Sequence, residues 1–98
     1  MTITKKQDGA TLEIAVEGRL DTMTSPELDN ELKTCLDGVE KLILNCEKLD
    51  YISSAGLRVL LNAYKVMNSK GGMRLIRVNE IVREVFEVTG FADVLMIE

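Results

Sequence analysis

The chain has 98 residues, 46% of them hydrophobic and 29% charged, a formal net charge of −4 and no histidine. A chain of this size suits one globular domain, 1–98, that buries somewhat over ~60% of its unfolded surface. An acidic chain without a Lys/Arg cluster is a poor phosphate-backbone binder, so nucleic acid is not expected as a partner, whereas a basic protein surface is compatible.

Thr2 to Gln7 is β-prone, and Asp8-Gly9 is a hairpin turn signal. From Thr11 to Arg19 the pattern alternates, with Leu12, Ile14 and Val16 to one side and Glu13, Ala15 and Glu17 to the other; this predicts a half-buried antiparallel strand. Gly18-Arg19-Leu20-Asp21 leaves that strand. Thr24-Ser25-Pro26 starts a helix, with Ser25 as the expected N-cap and Pro26 at the first helical position. Leu28, Leu32, Cys35 and Leu36 recur at helical spacing until Gly38.

Lys41 to Cys46, with Leu42, Ile43 and Leu44 in succession, predicts a short central strand covered on both faces. A loop from Glu47 to Ser53 leads into a helix from about Ser54 to Ser69, striped by Leu57, Leu60, Leu61, Tyr64 and Met67 and ended by Gly71-Gly72. Met73 to Val78 is the next core strand. Asn79 caps a helix from about Glu80 to Thr89 whose expected inner face is Ile81, Val82, Val85 and Phe86. Gly90 suits the left-handed position after it, and Phe91 to Ile97 reads equally as strand or short helix.

This order predicts an α/β fold. It has a mixed, mostly parallel central sheet of four to five strands, an N-terminal antiparallel hairpin and three to four helices joined by right-handed crossovers. No linker or repeat breaks the pattern, so no second domain is expected. Cys35 and Cys46 both fall on apolar positions and are expected as two reduced core cysteines. Two cysteines without histidine give no zinc site. No basic-then-apolar leader and no apolar run near the ~20 residues of a membrane span are present, which predicts a cytoplasmic protein with no membrane partner.

The segment Leu49 to Leu61 is the most informative one, because it places Ser53 and Ser54 where a loop becomes an amphipathic helix. The first N–H groups of a helix lack intrahelical partners and carry partial positive charge, so an oxygen-rich anion is stabilised there. A hydroxyl at this place can be a cap, a nucleophile or a phosphorylation site. Without histidine, Ser–His–Asp and Cys–His mechanisms are excluded. No Gly-x-Ser-x-Gly elbow, Gly-x-Gly-x-x-Gly turn, Walker loop or metal-spaced carboxylate pair occurs, so no catalytic residue, metal or cofactor is expected. Two readings stay open. In one, Ser53 caps the helix and Ala55 and Gly56 are merely small. In the other, a hydroxyl is presented to a kinase. A phosphate would add about −1.5 to −2 charges without unfolding a helix N-terminus.

Gly18-Arg19-Leu20-Asp21, Leu42-Ile43-Leu44-Asn45, Ser53-Ser54-Ala55-Gly56-Leu57, Val82-Arg83-Glu84-Val85-Phe86 and Thr89-Gly90-Phe91 follow one another in a familiar order and spacing. Through them nearly the whole chain resembles the STAS domain of the bacterial anti-sigma factor antagonist family. The resemblance places the family's phosphoacceptor serine on Ser54. Ser53 stands where the family carries aspartate and Ala55 where it carries Ser or Thr, which removes a negative charge beside the acceptor. The implied partner-binding residues are Asp21, Ser53, Ala55, Gly56, Leu57 and Arg58. The implied function is partner switching. The unphosphorylated domain binds an anti-sigma factor serine kinase, phosphorylation of Ser54 releases it, and a serine phosphatase resets the domain, which is not itself an enzyme. The alternative is a non-switching STAS subunit of a transport or signalling complex. A nucleotide-binding domain using the helix start is the poorest of the readings, for want of a Gly-rich loop.

Overall fold

The computed structural model describes residues 1–97. Strands β1 (Thr2–Asp8) and β2 (Thr11–Leu20) form the antiparallel hairpin, with Asp8 opposite Thr11 and Gly9 in the left-handed region at φ +61°. Helix α1 (Ser25–Cys35), strands β3 (Lys41–Asn45) and β4 (Leu49–Ile52), helix α2 (Ser54–Asn68), strand β5 (Met73–Ile76) and helix α3 (Glu80–Thr89) follow. A 3-10 turn (Phe91–Asp93) and a two-residue strand β6 (Met96–Ile97) complete the described chain, so the tail is both short helix and strand.

The sheet order is β1-β2-β3-β5-β6, with β4 paired to the far end of β2. From β2 onward the pairs are parallel, and the path β2→β3→β5→β6 always steps in the same direction. Right-handed crossovers that all step one way put their helices on one face of the sheet. The burial agrees. Leu12, Ile14 and Val16 of β2, Leu42 and Leu44 of β3, and Met73 and Leu75 of β5 share one core with Leu28 and Leu32 of α1, Leu57 and Leu60 of α2, and Val82 and Phe86 of α3.

Four sequence expectations change. Ile43 is only half-buried on the helix-free face, so β3 is covered on one side rather than both. The loop expected from Glu47 to Ser53 contains β4; its Leu-Asp-Tyr-Ile sequence carries little strand signal, and its pairing with β2 is a tertiary effect. Ser25 is not the N-cap. Thr24 takes that place without a side-chain cap bond, because its hydroxyl turns back to the Arg19 carbonyl at 2.7 Å. Ile81 points out to solvent, since α3 sits on Val82 and Phe86, one residue further round the helix.

The cysteines also divide. Cys46 is fully buried, and burial pushes its thiol up to about 12, which leaves it inert. Cys35 is at the core margin, with its sulfur 3.3 Å from Lys5 Nζ. Both are free thiols. Among the described residues no helix is long and apolar enough to cross a membrane, and no group of side chains is arranged to hold a metal ion.

Candidate functional site

Strand β2 changes partner along its length. Thr11 to Ala15 pair with β3, and Gly18 to Leu20 pair with β4, with a register shift between Gly18 and Arg19. Gly18 sits at φ +102°, a backbone state that side chains rarely adopt, and it supplies the bend at the switch. Its N–H donates to the Lys48 carbonyl at 2.9 Å. Past the bend, Arg19 lies opposite Tyr51 and Leu20 opposite Ile52.

Leu20 and Ile52 turn into the core and form the floor under the start of α2. Gly56 rests on that floor. A Cβ there would lie 2.8 Å from Leu20 Cγ and 2.9 Å from Ile52 Cγ1, so any side chain would push the helix off the strands. Ser53 is tied down by its N–H, which donates to the Leu20 carbonyl at 2.9 Å. The Gly-x-Leu-Asp segment and the Ser-Ser-Ala-Gly-Leu segment thus meet as one unit, with Leu20 under Gly56.

Ser53 is the N-cap of α2, extended at φ −98° and ψ 176°, and its hydroxyl accepts the Gly56 N–H at a loose 3.5 Å. Ser54 is the first helical residue. Its side chain is exposed, and its hydroxyl bonds to no other described residue. The first turn of α2 contains no acidic residue, so the positive end of the helix has no carboxylate of its own. Arg58, one turn on, is also exposed and makes no ion pair among the described residues.

Asp21 sits at the rim and organises the β2–α1 loop. Its Oδ1 accepts the Met23 N–H at 3.0 Å, the Thr24 N–H at 3.1 Å and the Thr24 hydroxyl at 3.2 Å. These bonds, led by the Thr24 N–H, hold its carboxyl below the usual range; burial opposes them, more strongly than any bond but that first one favours the charge. Arg19 Nε is 3.7 Å from Asp21 Oδ2, and its guanidinium lies 4.3 Å from the Tyr51 ring centre. Met23 is 86% exposed beside this group.

The residues named from sequence therefore divide by depth. Asp21, Ser53, Ser54, Ala55 and Arg58 reach the surface around the α2 start. Gly56 and Leu57 are buried, so as contact residues they are corrected to internal supports: Gly56 sets the approach of helix to strands, and Leu57 fills the core. Arg19 and Tyr51 belong to the same rim but carry no sequence signal, because only the β2–β4 register brings them together.

The bend of β2 thus sets the Leu20–Asp21 segment against the start of α2, where Ser54 is exposed. The STAS domain profile matches residues 2–98, and the chain belongs to the STAS domain family, in its anti-sigma factor antagonist group. It is 35% identical over 96 residues to BtrV of Bordetella bronchiseptica, a candidate anti-sigma factor antagonist, covering 96% of this chain and 83% of that protein. It is 31% identical over 85 residues to the anti-sigma-B factor antagonist of Staphylococcus aureus, covering 85% of this chain and 79% of that one. The anti-sigma factor antagonist SpoIIAA of Bacillus has the same fold. Its unphosphorylated form matches with a TM-score of 0.84 at 22% identity, over 99% of this chain and 88% of that one. Its phosphorylated form matches with a TM-score of 0.76 at 21% identity, over 99% and 91%.

Proposed function

We propose that this chain is an anti-sigma factor antagonist that works as a cytoplasmic phosphorylation switch. Unphosphorylated, it binds an anti-sigma factor that is also a serine kinase and so frees a sigma factor. That kinase, with its own ATP, phosphorylates Ser54, and the complex falls apart. A serine phosphatase restores the binding state. The chain itself catalyses nothing; Ser54 is a substrate residue.

The observation that carries this reading is the position of Ser54. Its hydroxyl is exposed and bonds to no other described residue, at the first helical position of α2, on a backbone fixed by the Ser53–Leu20 bond and the packing of Gly56 on Leu20 and Ile52. A kinase reaches such a hydroxyl without unfolding anything. The phosphate dianion lands at a helix end that has no acid in its first turn, so the fold tolerates it. What changes is the surface. A face shared by Ala55, Arg58 and the Asp21 loop gains about two negative charges, which repel an acidic or apolar partner surface.

The test is intact-mass analysis of the full chain after incubation with ATP and each candidate anti-sigma serine kinase of the same genome, followed by peptide mapping. One added phosphate on Ser54 is expected. Ser54→Ala is expected to stay bound to the kinase in the presence of ATP, and Ser54→Asp to bind at least about tenfold more weakly. A phosphate mapped elsewhere, or equal binding by both variants, would leave a non-switching STAS subunit as the better account.

A further inference from the structure

Helix α3 carries more apolar surface than its own core uses. Val82 and Phe86 are fully buried beneath it. Ile81, Val85 and Val88, at i, i+4 and i+7, form a second stripe on the helix, with Ile81 65% and Val88 80% exposed and Val85 half-buried. With Glu84 and Thr89 they line an open groove of about 300 Å³. Isolated exposed apolar residues are ordinary, but three in heptad spacing make a seam of the kind that receives another helix.

A second row runs beside the first. Glu80, Glu84 and Glu87 stand at the same i, i+4, i+7 spacing, displaced by one residue; all three are exposed, and none has an ion-pair partner among the described residues. The helix has one cation, Arg83, which is half-buried. Like charges at this spacing weaken an isolated helix. An apolar seam flanked by a row of uncompensated carboxylates is complementary to a helix with an apolar seam and a basic flank. A second copy of this chain is a poor occupant. Antiparallel two-fold packing of α3 on α3 sets the acidic rows against each other, in a chain whose net charge is already −4.

We infer that the Ile81–Val85–Val88 face of α3 is a docking surface for a basic amphipathic helix of a partner protein. This surface does not depend on Ser54. The apolar seam supplies the affinity, and the glutamate row selects a partner with Lys or Arg along one edge.

The probe is a capped synthetic helix of about three heptads with Leu at a and d and Lys at e and g, and a matched peptide with Glu at e and g. Both are titrated into the isotope-labelled full chain and followed by amide shifts. The Lys peptide is expected to shift α3 resonances and to bind about tenfold more tightly than the Glu peptide at low salt. Ile81→Ser with Val88→Ser removes the binding, and both residues are exposed enough to leave the fold intact. Glu84→Lys with Glu87→Lys reverses the preference, which a merely sticky surface would not do. Shifts centred on another face, equal affinity for both peptides, no binding of either, or concentration-dependent α3 shifts from self-association would each overturn the proposal.

Discussion

Helices α2 and α3 begin alike and differ in what their first turns contain. Each follows an extended cap residue that leaves a strand on the same end of the sheet: Ser53 for α2 and Asn79 for α3. At α3 everything is satisfied. Asn79 Oδ1 accepts the Val82 N–H at 2.9 Å, its Nδ2 donates to the Leu49 carbonyl at 2.7 Å, and Glu80 supplies a negative charge in the first turn. At α2 the cap bond is 3.5 Å, no acid is present, and the first helical residue is an exposed serine. The α3 start is built for stability. The α2 start is held from below by packing and left open above, which suits the phosphorylation cycle proposed for it.

The largest test of that contrast is Gly56→Ala. In an ordinary helix the change would stabilise by about 1 kcal/mol. Here the new methyl meets Leu20 Cγ and Ile52 Cγ1 at under 3 Å, and these are interior atoms of buried side chains, not mobile tips. Overpacking at about 1–3 kcal/mol outweighs the propensity gain, so a net loss of up to about 2 kcal/mol is expected in urea unfolding. A gain in stability would mean that the α2 start floats on its floor. Asn79→Ala comes next. It removes a tight cap and leaves the Leu49 carbonyl without its donor, and a loss of about 1–1.5 kcal/mol is expected from the same measurement.

Most of this contrast was legible before any coordinates, and the part that was not has a physical cause. Asn79 reads as a cap, and Ser53 does in one of its two readings, because short polar side chains before an apolar helical stripe bond readily to the free N–H groups of the first turn. The strands of the Leu12–Ile14–Val16 and Leu42–Leu44 pattern were visible in their periodicity. Strand β4 was not, because four residues with Asp50 and Tyr51 in the middle become a strand only when β2 bends at Gly18 to meet them. That one omission hid the Arg19–Tyr51 stack and the burial of Gly56. A glycine in a first turn reads equally as space for a partner or space for the protein's own core, and only the position of Leu20 decides. Ile81 failed for a different reason: α3 has an apolar arc wider than its contact with the sheet, and periodicity alone does not say which part faces inward.

Two smaller substitutions sharpen the comparison at α2 itself. Ser53→Ala is expected to cost about 0.5 kcal/mol, well below Asn79→Ala, because the cap bond it removes is long. Equal losses at the two caps would break the contrast. Ser54→Asp is expected to stabilise by about 0.3–0.5 kcal/mol, since it places a carboxylate in a first turn that has none. The same variant is expected to lose kinase binding. Opposite signs in the two measurements would separate the surface effect of charge from any effect on folding.

The smallest effect is read from pH, and it concerns Asp21, the residue after Leu20. Its carboxyl is held below the ordinary value, first by the Thr24 N–H and then by the Met23 N–H, the Thr24 hydroxyl and Arg19. A group whose folded pKa is depressed contributes stability that is fully present above its unfolded pKa, about 3.9, and is lost as pH falls through the folded value. Asp21→Asn keeps an oxygen that accepts the same two amides but removes the charge. The variant should therefore melt slightly lower than the parent at pH 7, and the gap should close as the pH drops below about 4. Asn79, a neutral cap doing similar work at α3, provides the control, because its contribution has no titration of its own in that range. A gap at Asp21→Asn that stays constant with pH would mean that the loop depends on the shape of the side chain and not on its charge. In that case the carboxylate at the rim of the α2 start is left available to a partner.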